Sequence, residues 1–134
     1  RITADKKIEL MTFDGANRMM LLNSNTIVYS SKNRNGLHLI SLSGQKLGTV
    51  LPYFSKQLHE HWTVQAETIY YPKLEGRRGI WRYHVDSAKD TFVSEHLPSA
   101  IGTTLAVSPD QSLLLICRTD SVDSDIFIST LTYK

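Results

Sequence analysis

Hydrophobic positions along the chain come in short runs broken by clusters of Gly, Pro, Asn, Asp and Ser. Runs rich in β-branched and aromatic residues and bounded by turn formers read as β-strands. Strands are expected at 8–13, 18–22, 26–31, 37–42 and 46–51, with Asp14-Gly15 and Ser43-Gly44-Gln45 as turns. A second pass begins at His61-Trp62 and predicts strands at 61–65, 68–73, 80–85 and 91–97. A third takes in 102–107, the five apolar residues 113–117, and a return strand from 126 onward, with an acidic loop expected over 120–125. No segment combines an N-cap with an apolar stripe at three-to-four spacing, so helices are not predicted. The pattern is that of an all-β chain.

The three passes superpose. Ile27, Ile69 and Leu114 take equivalent places, and so do Leu37, Ile80 and Ile126. Gly36, Gly79 and Asp125 each precede a returning strand, and Leu42, Val85 and Leu131 stand five residues past the second anchor, an odd offset matched in all three copies. A unit of about 40–50 residues holding four short strands is the sequence signature of a β-propeller blade. The expected architecture is therefore one domain of three antiparallel blades, over 15–56, 57–98 and 99–134, with 1–14 as an extra N-terminal strand. Propellers close with about four to eight blades, and the third blade here lacks its outer strand. That strand would come from residues 8–13 or from another chain. Closure would come from further blades before Arg1 or from two chains pairing into a six-bladed ring.

Composition adds little to this picture. The 134 residues, 41% hydrophobic and 21% charged, suit one ordinary globular domain. A net charge of +2 is too small to imply nucleic acid or an anionic membrane as a partner. The charge is uneven: residues 1–60 hold 8 Lys or Arg against 4 Asp or Glu, and residues 61–134 hold 7 against 9. Solvated faces account for this as well as a subunit contact does. Cys117 is the single cysteine, so an intrachain disulfide is impossible, and its apolar neighbours make it a buried small hydrophobe rather than a nucleophile. No apolar run approaches the ~18 residues of a membrane span, and no signal peptide is present. Because the first residue is Arg1, the chain is expected to be a piece of a longer protein with any targeting element upstream.

The stretch "SPDQSLLLICRTDSVDSDIFI" (108–128) resembles the TolB-type propeller repeat: a Ser-Pro-Asp turn, an apolar strand, a polar loop, and a strand ending near Leu. The structural residues of that motif would be Ser108, Pro109, Asp110, Ser124 and Asp125. Paired with "HWTVQAETIYYP" (61–72), which contributes Trp62, it resembles the C-terminal propeller region of CadC-type and ToxR-type bacterial regulators. The likeness covers residues 60–131 well and 14–52 only by general pattern. One departure is Gln111, where the repeat commonly has glycine. The resemblance implies a non-enzymatic sensory or protein-interaction module on the periplasmic side of a membrane-anchored winged-helix regulator. The alternative it leaves is a TolB-like periplasmic binding propeller in an envelope complex; a cytoplasmic location is the alternative place. The winged helix is not in this sequence, so direct nucleic-acid binding is not expected, and membrane association would come only through an upstream anchor.

Candidate sites are few. His59 and His61, at i and i+2, would share a face in an extended segment and supply two metal ligands, though a solvated inter-blade loop explains them as well. Asp120, Asp123 and Asp125 form an acidic cluster that lacks the glycine and distal glutamate of a calcium loop. Neither set predicts a metal, and no cofactor or catalytic motif is read; the absence of a Gly-x-Ser-x-Gly elbow separates the chain from propeller-bearing peptidases. If a partner surface exists, propeller geometry places it on the joins before each innermost strand: near Ala16, at His59 and His61, and from Ser99 to Gly102. The expected partner is a protein, including a second copy of the chain in a ring-completing homodimer.

Overall fold

A computed structural model describes residues 15–95, 104–120 and 123–131. Among them the chain is all-β, with three antiparallel sheets and no α-helix. The first sheet holds β1 (Ala16–Leu21), β2 (Thr26–Ser31), β3 (Leu37–Ser41) and β4 (Lys46–Val50) in that order. The second holds β5 (Thr63–Gln65), β6 (Thr68–Lys73), β7 (Gly79–His84) and β8 (Lys89–Ser94), and the third β9 (Thr104–Val107), β10 (Leu113–Asp120) and β11 (Asp123–Thr130). Each sheet is a meander in which consecutive strands pair. The strand expected at 8–13 and the join at Ser99 and Gly102 lie outside the described residues, as do the side chains of Cys117, Asp120, Asp123, Ser124, Asp125 and Ile126.

The third sheet corrects one expectation. Residues 120–125 are not a long acidic loop: β10 pairs with β11 to the end, Arg118 opposite Asp125, Thr119 opposite Ser124, and Asp120 opposite Asp123. The polar composition of this stretch looked like a loop, but continuous pairing with the apolar half of the hairpin carries the ladder through it. Local composition yields to register here.

Period-two alternation sorts each sheet into two faces. In the first, the row Met20–Val28–Leu39 faces the second sheet, and Val28 joins Leu22, Leu37, Phe54, Trp62, Val64, Ile69 and Tyr71 in one core. In the second sheet Ile69 and Tyr71 point into that core while Tyr70 and Ile80 point the other way, into a second core with Leu105, Leu114, Ile116 and Leu131. Both faces of β6 are therefore buried, which is why "TIYYP" reads as a continuous apolar run rather than as an alternation. Pro72 is tolerated inside it because β5 ends its pairing at Thr63 opposite Tyr70, so no ladder on that side needs an N–H from residue 72.

The sheets succeed one another in chain order, the second packed between the first and third. Strands of different sheets approach most closely through the first strand of each, β1 against β5 and β5 against β9. Equivalence between repeats extends to single hydrogen bonds. Leu42 N–H donates to Asn25 O at 2.9 Å and Leu131 N–H to Ser112 O at 2.8 Å, closing the corresponding turn in the first and third sheets. Their burial differs: Leu131 is 6% exposed inside the second core, whereas Leu42 is 36% exposed.

Candidate functional site

The first and second sheets are joined by residues 51–62, and this connector brings two of the expected partner-binding segments together. Ser55 caps a single 3₁₀ turn, Lys56–Leu58, its hydroxyl accepting from Gln57 N–H at 3.2 Å, and Asn35 Oδ1 accepts from Lys56 N–H at 2.8 Å. The turn continues through His61, whose N–H donates to Leu58 O at 2.8 Å. His59 consequently has φ −55 and ψ −18. The segment is not extended, so pleat parity does not put the rings of His59 and His61 on one face. That premise of the two-histidine reading is corrected: residues 56–61 follow turn geometry, which capping by Ser55 and Asn35 favours over a strand. Among the described residues no group of three or more His, Cys, Asp or Glu side chains is assembled to hold a metal.

Instead, His59 anchors the junction through its backbone. Its carbonyl accepts from the Trp62 indole N–H at 2.9 Å and from the Ser30 hydroxyl, and Trp62 Nε1 also lies 3.0 Å from Ser30 Oγ. Trp62 is wholly buried, and its own carbonyl accepts from Arg18 Nε at 3.0 Å while the guanidinium stacks 5.6 Å from the indole centroid. On the rim, the amide nitrogen of Asn17 sits 3.2 Å from His59 Nδ1 and donates to Glu60 Oε1 at 3.1 Å. That bond, helped by the charges of His59, Lys32 and His61, holds the exposed Glu60 carboxyl below its ordinary pKa. Ala16 is the first residue of β1 rather than a loop residue, and the polar group that meets His59 and Glu60 is its neighbour Asn17.

The Ser108-Pro109-Asp110 turn between β9 and β10 is closed by its own side chains. Ser108 Oγ–H donates to Asp110 Oδ1 at 2.7 Å, and the same oxygen accepts from the backbone and hydroxyl of Ser112 at 3.0 and 2.7 Å. Leu113 N–H donates back to Ser108 Oγ at 2.9 Å. Gln111 adopts φ +58, the left-handed conformation for which glycine is preferred. Leaving glycine there costs roughly 1–2 kcal/mol. A bond from the Tyr70 hydroxyl to Gln111 Oε1, at 2.9 Å, contributes about 1 kcal/mol in return and ties the third sheet to the second.

Two further arrangements could be found only from the assembled sheet. Tyr71 donates to both carboxylate oxygens of Asp90 at 2.8 Å, Lys73 Nζ lies 3.0 Å from Asp90 and 3.9 Å from the Trp81 centroid, and burial followed by the Asp90 bond raises the Tyr71 pKa far above its usual 10.0. On the opposite face, a cleft of about 310 Å³ opens at the ends of the second and third sheets. Its lining includes Arg82, His84 and Lys89, with Thr68, Ser87, Thr91 and Gln111. The sequence signal for the cations is the i, i+2 pair Arg82 and His84, with Lys89 just past a turn. It was uninformative until β7 and β8 were in register.

Comparison with protein-family models, with curated proteins and with solved structures finds no match. No helix among the described residues is long and apolar enough to cross a membrane.

Proposed function

We propose that the chain is three blades of a TolB-like β-propeller and works by binding, without catalysis, as the sensory and protein-interaction part of a membrane-anchored bacterial transcriptional regulator. In this reading it lies on the periplasmic side, and its first protein partner is a second copy of itself. The observation that carries the reading is the placement of three successive meanders with their first strands against one another. Blades arranged about an axis converge in this way.

The two end sheets support the choice of partner. On the third sheet, the face turned away from the second presents Leu113, Leu115 and Ile128, the last 67% exposed. On the first, the outward face presents Met19 and Leu21, 58% and 62% exposed. Because repeats are equivalent, the outward face of the third sheet corresponds to the face that the second sheet packs on the third. The outward face of the first corresponds to the one the third packs on the second. The two ends are thus complementary rather than identical, and a two-fold pair of chains would join each to the other twice, making six blades. Burying an apolar side chain of this size contributes about 1.5–3 kcal/mol, enough for five such residues to favour pairing.

The regulator assignment is tested by the parent coding sequence upstream of Arg1. A winged-helix domain followed by a membrane span is the expected finding. Finding neither would sink the assignment, and a signal peptide in their place would favour a periplasmic binding propeller.

A further inference from the structure

The cleft at the ends of the second and third sheets concentrates positive charge without an acidic side chain in its lining. Lys89 on β8 stands directly opposite His84 on β7, and Arg82, opposite Thr91, lies two residues along the same face. Cross-strand cations at such positions repel and cost stability unless a counter-charge lies between them. Glu67 and Asp86 adjoin the cleft in sequence but do not line it. Around the cations stand short hydroxyl side chains: Thr68, which is opposite His84 on β6, and Thr91. Gln111 reaches in from the third sheet, and because the Tyr70 hydroxyl donates to its Oε1, its NH₂ is the donor end of the amide. Ammonium, guanidinium and imidazole donors ringed by hydroxyls are the groups that hold the oxygens of a phosphoryl or carboxylate group. At about 310 Å³ the cleft is the size of a small organic molecule rather than a bare ion.

We propose that this cleft binds the oxyanion of a small ligand, a phosphorylated or polycarboxylate metabolite, with Lys89, Arg82 and His84 as the charge partners and Gln111 as a donor from the neighbouring sheet. The site is independent of the propeller assignment, because it is built from the second sheet and one turn of the third.

Titration calorimetry of the whole chain with inorganic phosphate and, separately, with citrate at matched ionic strength tests it. The expected result is saturable binding of at least one probe, with a Kd of about 1 mM or tighter. Binding should weaken about tenfold or more in Lys89→Glu and in Arg82→Gln at unchanged circular dichroism. Binding of phosphate alone assigns a phosphoryl ligand, and binding of citrate alone a carboxylate one. No saturable binding of either probe, or binding that Lys89→Glu leaves unchanged, overturns the proposal. Lys89 is exposed on an edge strand, so its substitution leaves the fold intact and keeps the comparison clean.

Discussion

Asp110 is fully exposed, yet the Ser108 hydroxyl, then the hydroxyl and backbone N–H of Ser112, hold its carboxyl at about 2 instead of the ordinary 3.8. The ionised form is the one that closes the turn. A depressed carboxyl pKa gives a stabilising contribution that is present above the ordinary range and is lost as pH falls from about 3.8 through about 2. An NMR titration of the Asp110 carboxyl should therefore find its midpoint near 2, and Ser108→Ala should move it upward by removing the largest of these bonds. A midpoint at the ordinary carboxyl value, indifferent to Ser108, would contradict the arrangement. At this scale the sequence was readable: Ser-Pro-Asp announces a turn by its chemistry, and the glutamine after it marks a departure. That Gln111 keeps the left-handed conformation depends on Tyr70, which is 41 positions away, and no local pattern points to that pair.

Individual elements are held in register by a few positions where backbone meets backbone. Gly79 opens β7 with φ +154, and a Cβ there would fall on the Ser94 carbonyl oxygen of β8 and within 2.7 Å of the Phe92 ring. The ladder shifts between Ile80 and Trp81 at this point, so the glycine lets two strands close up across an irregularity. Gly79→Ala should destabilise the chain by more than about 1 kcal/mol. Urea unfolding followed by Trp fluorescence measures this, and an unchanged midpoint would show that the close approach is not a constraint. Most strands were legible because their apolar runs are short and bounded. Thr26–Ser31 and Thr68–Lys73 have the limits that the pattern predicts. Residues 118–125 were not legible as strand, because Arg, Thr, Asp and Ser look like loop when only their own composition is considered. Their pairing with one another settles them. His59 to His61 failed for the converse reason, since an alternating pair of histidines suggests a strand while the caps at Asn35 and Ser55 impose a turn.

For the whole molecule, the repeat period carried the division into three sheets, and the sequence anticipated that the third would have only three strands among those described. It could not foretell which residues the end faces expose, since exposure depends on which side of each strand the neighbouring sheet covers. Ile69 and Leu114 are buried between sheets, whereas Ile27, at the corresponding place in the first, is only half-buried. The same asymmetry separates Leu131 from Leu42. The candidate anion cleft was likewise invisible, because His84 and Lys89 become neighbours only when β7 and β8 pair.

Pairing of the two end faces is the claim on which the ring reading stands, and sedimentation equilibrium of the purified chain tests it most directly. The wild-type chain should behave as a two-chain species that dissociates on dilution. Leu115→Glu, which places a charge on the outward face of the third sheet, should shift the equilibrium to a folded monomer. A wild-type chain that stays monomeric and well folded across the whole concentration range would contradict the account.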